Sequence, residues 1–67
     1  MKLKYYLNNT EISSKEYVER VIDDAKYYSE SKTTALRIVR ENRQEARSEK
    51  ENVWRLQNGD ALIIRNE

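Results

Sequence analysis

The chain contains a single glycine, which follows an asparagine between two apolar segments, NVWRL and DALIIR. An Asn-Gly pair supplies the positive φ angles of a tight turn, so Asn58-Gly59 predicts a C-terminal β-hairpin. A two-residue turn would place Trp54 opposite Ile63. A three-residue loop, with Gly59 left-handed in a bulge, would place Trp54 opposite Leu62. We favour the three-residue loop because it gathers Trp54, Leu56, Leu62 and Ile64 on one face.

The N-terminal segment KLKYYL alternates in the manner of a half-buried strand. Its two faces carry Leu3, Tyr5 and Leu7 on one side and Lys2, Lys4 and Tyr6 on the other. Asn8-Asn9 can form a tight turn, after which TEI returns as a short second strand. The chain therefore opens with a strand or a short hairpin.

A helix start follows, because Ser13-Ser14-Lys15-Glu16 matches the capping box S-x-x-E with Ser13 as the N-cap. Apolar side chains then recur at helical spacing along one stripe: Tyr17, Val18, Val21, Ile22, Ala25 and Tyr28. The spacing predicts a helix from about residue 14 to about residue 29, followed by the polar connector SESK.

Residues 34–50 have two interpretations. TTALRIVR has the β-branched character of a strand, whereas ENRQEARSEK is rich in helix formers and contains no glycine. A strand would have to be followed by a long charged loop without glycine, so we favour a helix. On that helix one narrow face is shared by Ala35, Ile38, Val39, Asn42 and Ala46.

These elements define one α+β domain over residues 1–67: an N-terminal strand or short hairpin, two helices, and a C-terminal hairpin that completes a small antiparallel sheet. The predicted core consists of Leu3, Tyr5, Leu7, Val18, Val21, Ile22, Ala25, Ile38, Val39, Trp54, Leu56, Leu62 and Ile64. A chain of 67 residues has a small core, so binding to a partner or to a second copy would add stability.

The composition leaves little room for catalysis. The chain has no cysteine and no histidine, which removes thiolate and imidazole ligands and the commonest general base. Carboxylates remain at Asp23-Asp24 and at Glu41, Glu45 and Glu49, but none has an apolar setting that suits acid–base chemistry. We predict a protein that is not an enzyme and that holds no metal or other cofactor.

The apolar segments are short, and the longest runs only from Ala61 to Ile64. No membrane-spanning segment or signal peptide is expected, so we predict a soluble cytoplasmic protein without membrane contact. The 13 basic and 12 acidic residues give a net charge of +1. That balance provides no overall field toward DNA or anionic lipid.

Lys-Tyr-Tyr occurs twice, at residues 4–6 and 26–28. In each copy we expect one tyrosine, Tyr5 or Tyr28, to face the core and the other, Tyr6 or Tyr27, to face outward. The outward pair is either ordinary amphipathic surface or part of a contact surface, where tyrosine is enriched.

Charges on the second helix are segregated. One side carries Arg40, Arg43, Arg47 and Lys50, and another carries Glu41, Glu45 and Glu49. A helix stabilised by its own ion pairs would place opposite charges at i, i+4, whereas most such pairs here are of like charge. Leu36 projects among the arginines. This row suits an acidic partner with a small apolar pocket; the alternative is a solvated face on which Leu36 covers the helix start.

Two functions are compatible with this pattern. The first is a regulator or inhibitor that binds a protein through Tyr6, Tyr27, Leu36, Arg40, Arg43 and Arg47. The second is a ribbon-helix-helix DNA-binding dimer that regulates transcription, in which Lys2, Lys4 and Tyr6 enter the major groove. The length of the first helix, the low net charge and the additional C-terminal hairpin weigh against the second function.

The tail pattern ENRQEA…NVWRLQNGDALIIR, together with the N-terminal YYLNN, resembles small accessory proteins encoded by phages and mobile elements of Gram-positive bacteria. Such proteins are often inhibitors of host functions, among them anti-CRISPR proteins that block a nuclease by binding it. The resemblance implies a partner that is a nuclease or nucleoprotein complex in the bacterial cytoplasm, and it assigns no functional residue. Because the chain lacks the acidity of a DNA mimic, we expect it to block a protein surface or an assembly step.

Overall fold

A computed structural model describes residues 2–67 as four strands and two helices. The elements follow the order β1 (Leu3–Leu7), β2 (Thr10–Ile12), α1 (Ser14–Tyr27), α2 (Lys32–Glu49), β3 (Glu51–Arg55) and β4 (Ala61–Asn66). The strands form one antiparallel sheet in the order β2-β1-β4-β3. The α+β class is confirmed, as are the short second strand and the helical interpretation of residues 34–49.

The C-terminal hairpin has the predicted three-residue loop. Trp54 lies opposite Leu62, and the Leu56 N–H donates to the Asp60 carbonyl at 2.8 Å. Gly59 has a φ of 95°, a left-handed conformation that glycine adopts without steric cost. This register turns Trp54, Leu56, Leu62 and Ile64 toward the helices.

Helix α1 begins at the predicted cap. The Ser13 Oγ accepts a hydrogen bond from the Glu16 N–H at 3.0 Å. The Glu16 carboxylate pairs with Arg20 at 3.1 Å. It therefore supports the first turn of the helix by an i, i+4 ion pair.

The prediction that Tyr28 faces the core is wrong. The helix ends at Tyr27, and Tyr28 is its C-cap, with φ −94° and ψ 13°. Because the backbone leaves the helical path there, Tyr28 departs from the apolar stripe that carries Val21 and Ala25 inward. Its side chain is 56% exposed beside Tyr27, which is 66% exposed. The two rings pack edge to face, with their centroids 5.2 Å apart.

Both helices pack on one face of the sheet, and the predicted core side chains lie within this layer or against it. The most deeply buried large side chains are Tyr17, Leu62, Ile64 and Val21. Three further core members, Tyr17, Ala35 and Ala46, lie on the predicted apolar helix faces but are absent from the predicted core. No helix between residues 2 and 67 is long and apolar enough to cross a membrane.

Candidate binding surfaces

A chain of polar side chains crosses the interior and fixes the two helices over the sheet. Asn42 on α2 donates through Nδ2 to the Tyr17 hydroxyl on α1 at 3.0 Å. Asn52 on β3 donates to Glu45 at 2.6 Å and approaches the Asn42 Oδ1 at 3.5 Å. Burial raises the pKa of Tyr17, and the hydrogen bond from Asn42 opposes that rise. These groups serve the fold, because buried polar atoms require partners.

Arg43 also belongs to the fold rather than to a free surface. Its Nε donates to the Tyr5 hydroxyl at 2.9 Å, and its guanidinium lies 5.6 Å from the centroid of the same ring. The Tyr5 ring in turn lies 5.2 Å from the ring of Tyr17. The predicted row of three arginines is therefore interrupted in the middle by a side chain that packs against β1.

The remaining members of that row are exposed on α2, and we call Leu36, Arg40 and Arg47 the basic row. Leu36 is 45% exposed, and both arginines are exposed. Neither arginine forms an ion pair within residues 2–67, whereas the neighbouring Arg37 pairs with Glu41 at 3.2 Å. At helical spacing the basic row runs along about 16 Å of the helix axis.

Tyr6 lies on the open face of the sheet, the face opposite the helices. It stands in register with Ile63, which in turn faces Val53, so the three side chains form an apolar row across the sheet. The Tyr6 hydroxyl donates to Glu67 at 2.7 Å, and the Arg65 guanidinium lies 5.1 Å from its ring centroid. The pKa of Tyr6 is raised, chiefly by the hydrogen bond to Glu67.

The basic side chains predicted for DNA contact share this open face. Lys4 lies opposite Arg65, which pairs with Glu51 at 3.1 Å, and Lys2 precedes β1 and extends its ladder through backbone bonds to Glu67. β1 is bonded to β2 on one side and to β4 on the other. It therefore has no free edge for the two-stranded ribbon that a ribbon-helix-helix dimer requires.

The predicted anchors thus do not form one surface. Tyr6 lies on the open face of the sheet, Tyr27 lies at the end of α1, and the basic row lies on the exposed side of α2. Arg43 is held by Tyr5. Of the predicted set, only the basic row brings an apolar side chain and unpaired charges onto one element.

A cleft between α2 and β3 was not predicted. This acidic cleft encloses about 340 Å³ and is lined by Glu41, Asn42, Glu45, Asn52, Val53 and Trp54. Asn52 is only 5% exposed, and its Oδ1 has no hydrogen-bond partner among residues 2–67. The sequence feature that could have predicted the cleft is the spacing of Asn52, Trp54 and Leu56 at every second residue. This spacing places the Asn52 amide on the same helix-facing side of the strand as the two apolar side chains.

A larger groove of about 520 Å³ lies on the other side of Trp54. Tyr28 and Ile38 contribute apolar walls, and Arg37 and Asp24 contribute charge. The Trp54 Nε1 is buried, and no described residue accepts a hydrogen bond from it. Asp24 and Arg37 are already engaged, the first by the Gln57 N–H at 2.9 Å and the second by Glu41.

Metal ligation and similarity to known proteins are two further sources of evidence on function. Within residues 2–67, no group of three or more acidic side chains is placed to hold a metal ion. No family model, curated protein or solved structure matches the chain. Function has to be inferred from the surfaces themselves.

Proposed function

We propose that the protein is a small non-enzymatic binding module that regulates or inhibits a partner protein by surface contact. The observation that carries this proposal is the basic row, in which an exposed leucine is followed along α2 by two exposed arginines that form no ion pair with any described residue. Exposed charges add little to the stability of a fold. Arginine is, however, among the residues enriched at binding hot spots.

The chemistry of the basic row specifies the kind of partner. Leu36 fits a small apolar recess, while Arg40 and Arg47 offer planar guanidinium groups that bind carboxylates through two hydrogen bonds each. A matching surface carries two acidic side chains on one side of such a recess, the farther of them about 16 Å from it. The net charge of +1 favours local complementarity over long-range steering.

Within this function we infer an inhibitor of the type that phages and mobile elements encode. The resemblance of the tail and of the YYLNN segment to such proteins supports this inference. A host defence nuclease or its nucleoprotein complex in the bacterial cytoplasm is then the expected partner. The balanced charge favours contact with a protein surface over mimicry of DNA.

The test is recovery of a partner from the lysate of a Gram-positive host by three tagged forms of the protein. These are the wild type, the variant R40E/R47E and the matched control K15E/K26E, which reverses two exposed charges on α1. Both variants lower the net charge from +1 by four units to −3, so a non-specific charge effect would appear in both. Circular dichroism checks that each variant is folded.

We expect the wild type and K15E/K26E to retain the same partner and R40E/R47E to lose at least about tenfold in recovery. Loss of two charge-assisted contacts has that magnitude. Equal recovery of every bound protein by all three forms would contradict the assignment of the contact to the basic row.

A further inference from the structure

Strand β3 presents a free edge. It lies at the end of the strand order β2-β1-β4-β3. The bonds from Leu56 to Asp60 and from Asn66 to Lys50 fix the alternation of the β3–β4 ladder. The N–H and C=O groups of Glu51, Val53 and Arg55 therefore point away from the sheet. Such an edge is a template for another strand.

The acidic cleft overhangs this edge. Glu41 and Glu45 line it from α2 above Val53 and Trp54, and Glu49 follows one turn further along the same side of the helix. The Glu45 carboxylate is anchored by Asn52 at 2.6 Å. The edge of the sheet is thus covered on the helix side by carboxylates, of which Glu41 also forms an exposed ion pair with Arg37.

The buried side-chain amide of Asn52 is a second, independent observation that points to a ligand in the cleft. The Asn52 Oδ1 is an acceptor that finds no donor in the part of the chain that the structure describes, and its side chain is 5% exposed. A buried acceptor without a partner costs free energy that a donor group would recover. A lysine or arginine entering the cleft would donate to this oxygen and neutralise the adjacent carboxylates.

We propose that the β3 edge and the acidic cleft form a docking site for an extended basic segment of a partner protein, which adds to the sheet as a strand beside β3. Main-chain bonds to Val53 supply the pairing, as in other cases of strand addition. Partner residues opposite Asn52 and Trp54 point into the cleft and carry lysine or arginine. The partner residue opposite Val53 is apolar and covers that side chain, which is 49% exposed on the open face.

A second copy of the chain fits the site less well. Pairing two β3 strands about Val53 would place Glu51 of one copy opposite Arg55 of the other, which is favourable. The same pairing would bring Glu41 and Glu45 of both copies together above the joined edges, where like charges repel. A basic segment instead gains charge pairs with Glu41 and Glu45 on the helix side of the edge and apolar contact with Val53 on the open face.

The test is a titration of the isotope-labelled protein with a short capped peptide, Thr-Thr-Lys-Val-Lys-Thr-Thr. The measured quantities are the NMR chemical shifts of the backbone amides of Glu51, Val53 and Arg55. We expect saturable shifts at these amides. A peptide with glutamate in place of lysine, and one N-methylated at its valine, should each bind at least about tenfold more weakly. The first loses the charge pairs with the cleft, and the second loses the central main-chain bond.

Two variants separate the site from general charge attraction. E41K/E45K should weaken binding at least about tenfold, whereas E19K/D23K, a matched i, i+4 pair on α1, should not. R40E/R47E should also leave peptide binding unchanged. A failure of the proposed β3 docking site is therefore distinguishable from a failure of the proposed partner contact at the basic row. The proposal would be overturned if the β3 amides did not shift at millimolar peptide, or if the glutamate peptide bound equally well. A wild-type dimer joined through β3 in solution would also overturn it.

Discussion

At the scale of single residues, the interior depends on one buried amide pair. Asn42 and Asn52 are both 5% exposed and lie among apolar side chains, where each unpaired polar atom is costly. The Asn42 Nδ2 donates to the Tyr17 hydroxyl, and the Asn52 Nδ2 donates to Glu45; the Asn52 Oδ1 has no partner within residues 2–67. Their positions tie α1, α2 and β3 into one arrangement, since a shift of any element would break a buried bond.

Replacing Tyr17 by phenylalanine should lower the free energy of unfolding by about 1–3 kcal/mol, because the Asn42 Nδ2 loses its acceptor inside the core. Urea unfolding followed by tryptophan fluorescence measures the change. Tyr27→Phe is the control, since that hydroxyl is exposed, and its effect should stay within about 0.5 kcal/mol. An equal loss in both variants would show that the buried bond contributes nothing specific.

The same variant separates the pH response of Tyr17 from that of other groups. Because burial raises the pKa of Tyr17, the fold favours the protonated phenol. Below about pH 10 the folded and unfolded chains both keep this proton. As the pH rises further, the unfolded chain releases it first and the fold loses stability. The wild type should therefore lose more stability than Tyr17→Phe when the pH is raised past about 10.

At the scale of elements, the end of α2 offers a stabilising substitution. Lys50 caps the helix with φ 73° and ψ −19°, a left-handed conformation that costs a side chain about 1–2 kcal/mol. Lys50→Gly should raise the free energy of unfolding by about 0.5–1 kcal/mol, because glycine adopts this conformation freely. Gln44→Gly, in the exposed helix interior, should lower it by about 1 kcal/mol. If denaturant unfolding shows that both variants lose stability, the left-handed cap conformation of Lys50 is contradicted.

The elements were predictable where local chemistry decides them. The single glycine fixed the hairpin register, and Ser13 marked the start of α1. Periodicity alone did not show that α1 ends at Tyr27, so Tyr28 was assigned to the wrong side. The bond from Arg43 to Tyr5 and the acidic cleft depend on how α2 lies over the sheet. Sequence spacing within one element carries no information about that placement.

At the scale of the whole molecule, charge is separated although its sum is near zero. The basic row occupies one side of α2, and the acidic cleft lies beside β3 on another. On the open face, Lys4 and Arg65 are accompanied by Glu51, which pairs with Arg65, and by Glu67, which accepts from Tyr6. Such a molecule suits contacts with protein surfaces of defined charge rather than with a uniform polyanion.

The most direct test of action through protein contact is an anisotropy titration of labelled random duplex DNA at low and at physiological salt. We predict no binding at physiological salt, because the basic row alone offers too few phosphate contacts. Tight binding that weakens steeply with salt, and that is lost in K2E/K4E but kept in R40E/R47E, would contradict this account. It would place nucleic acid on the open face of the sheet.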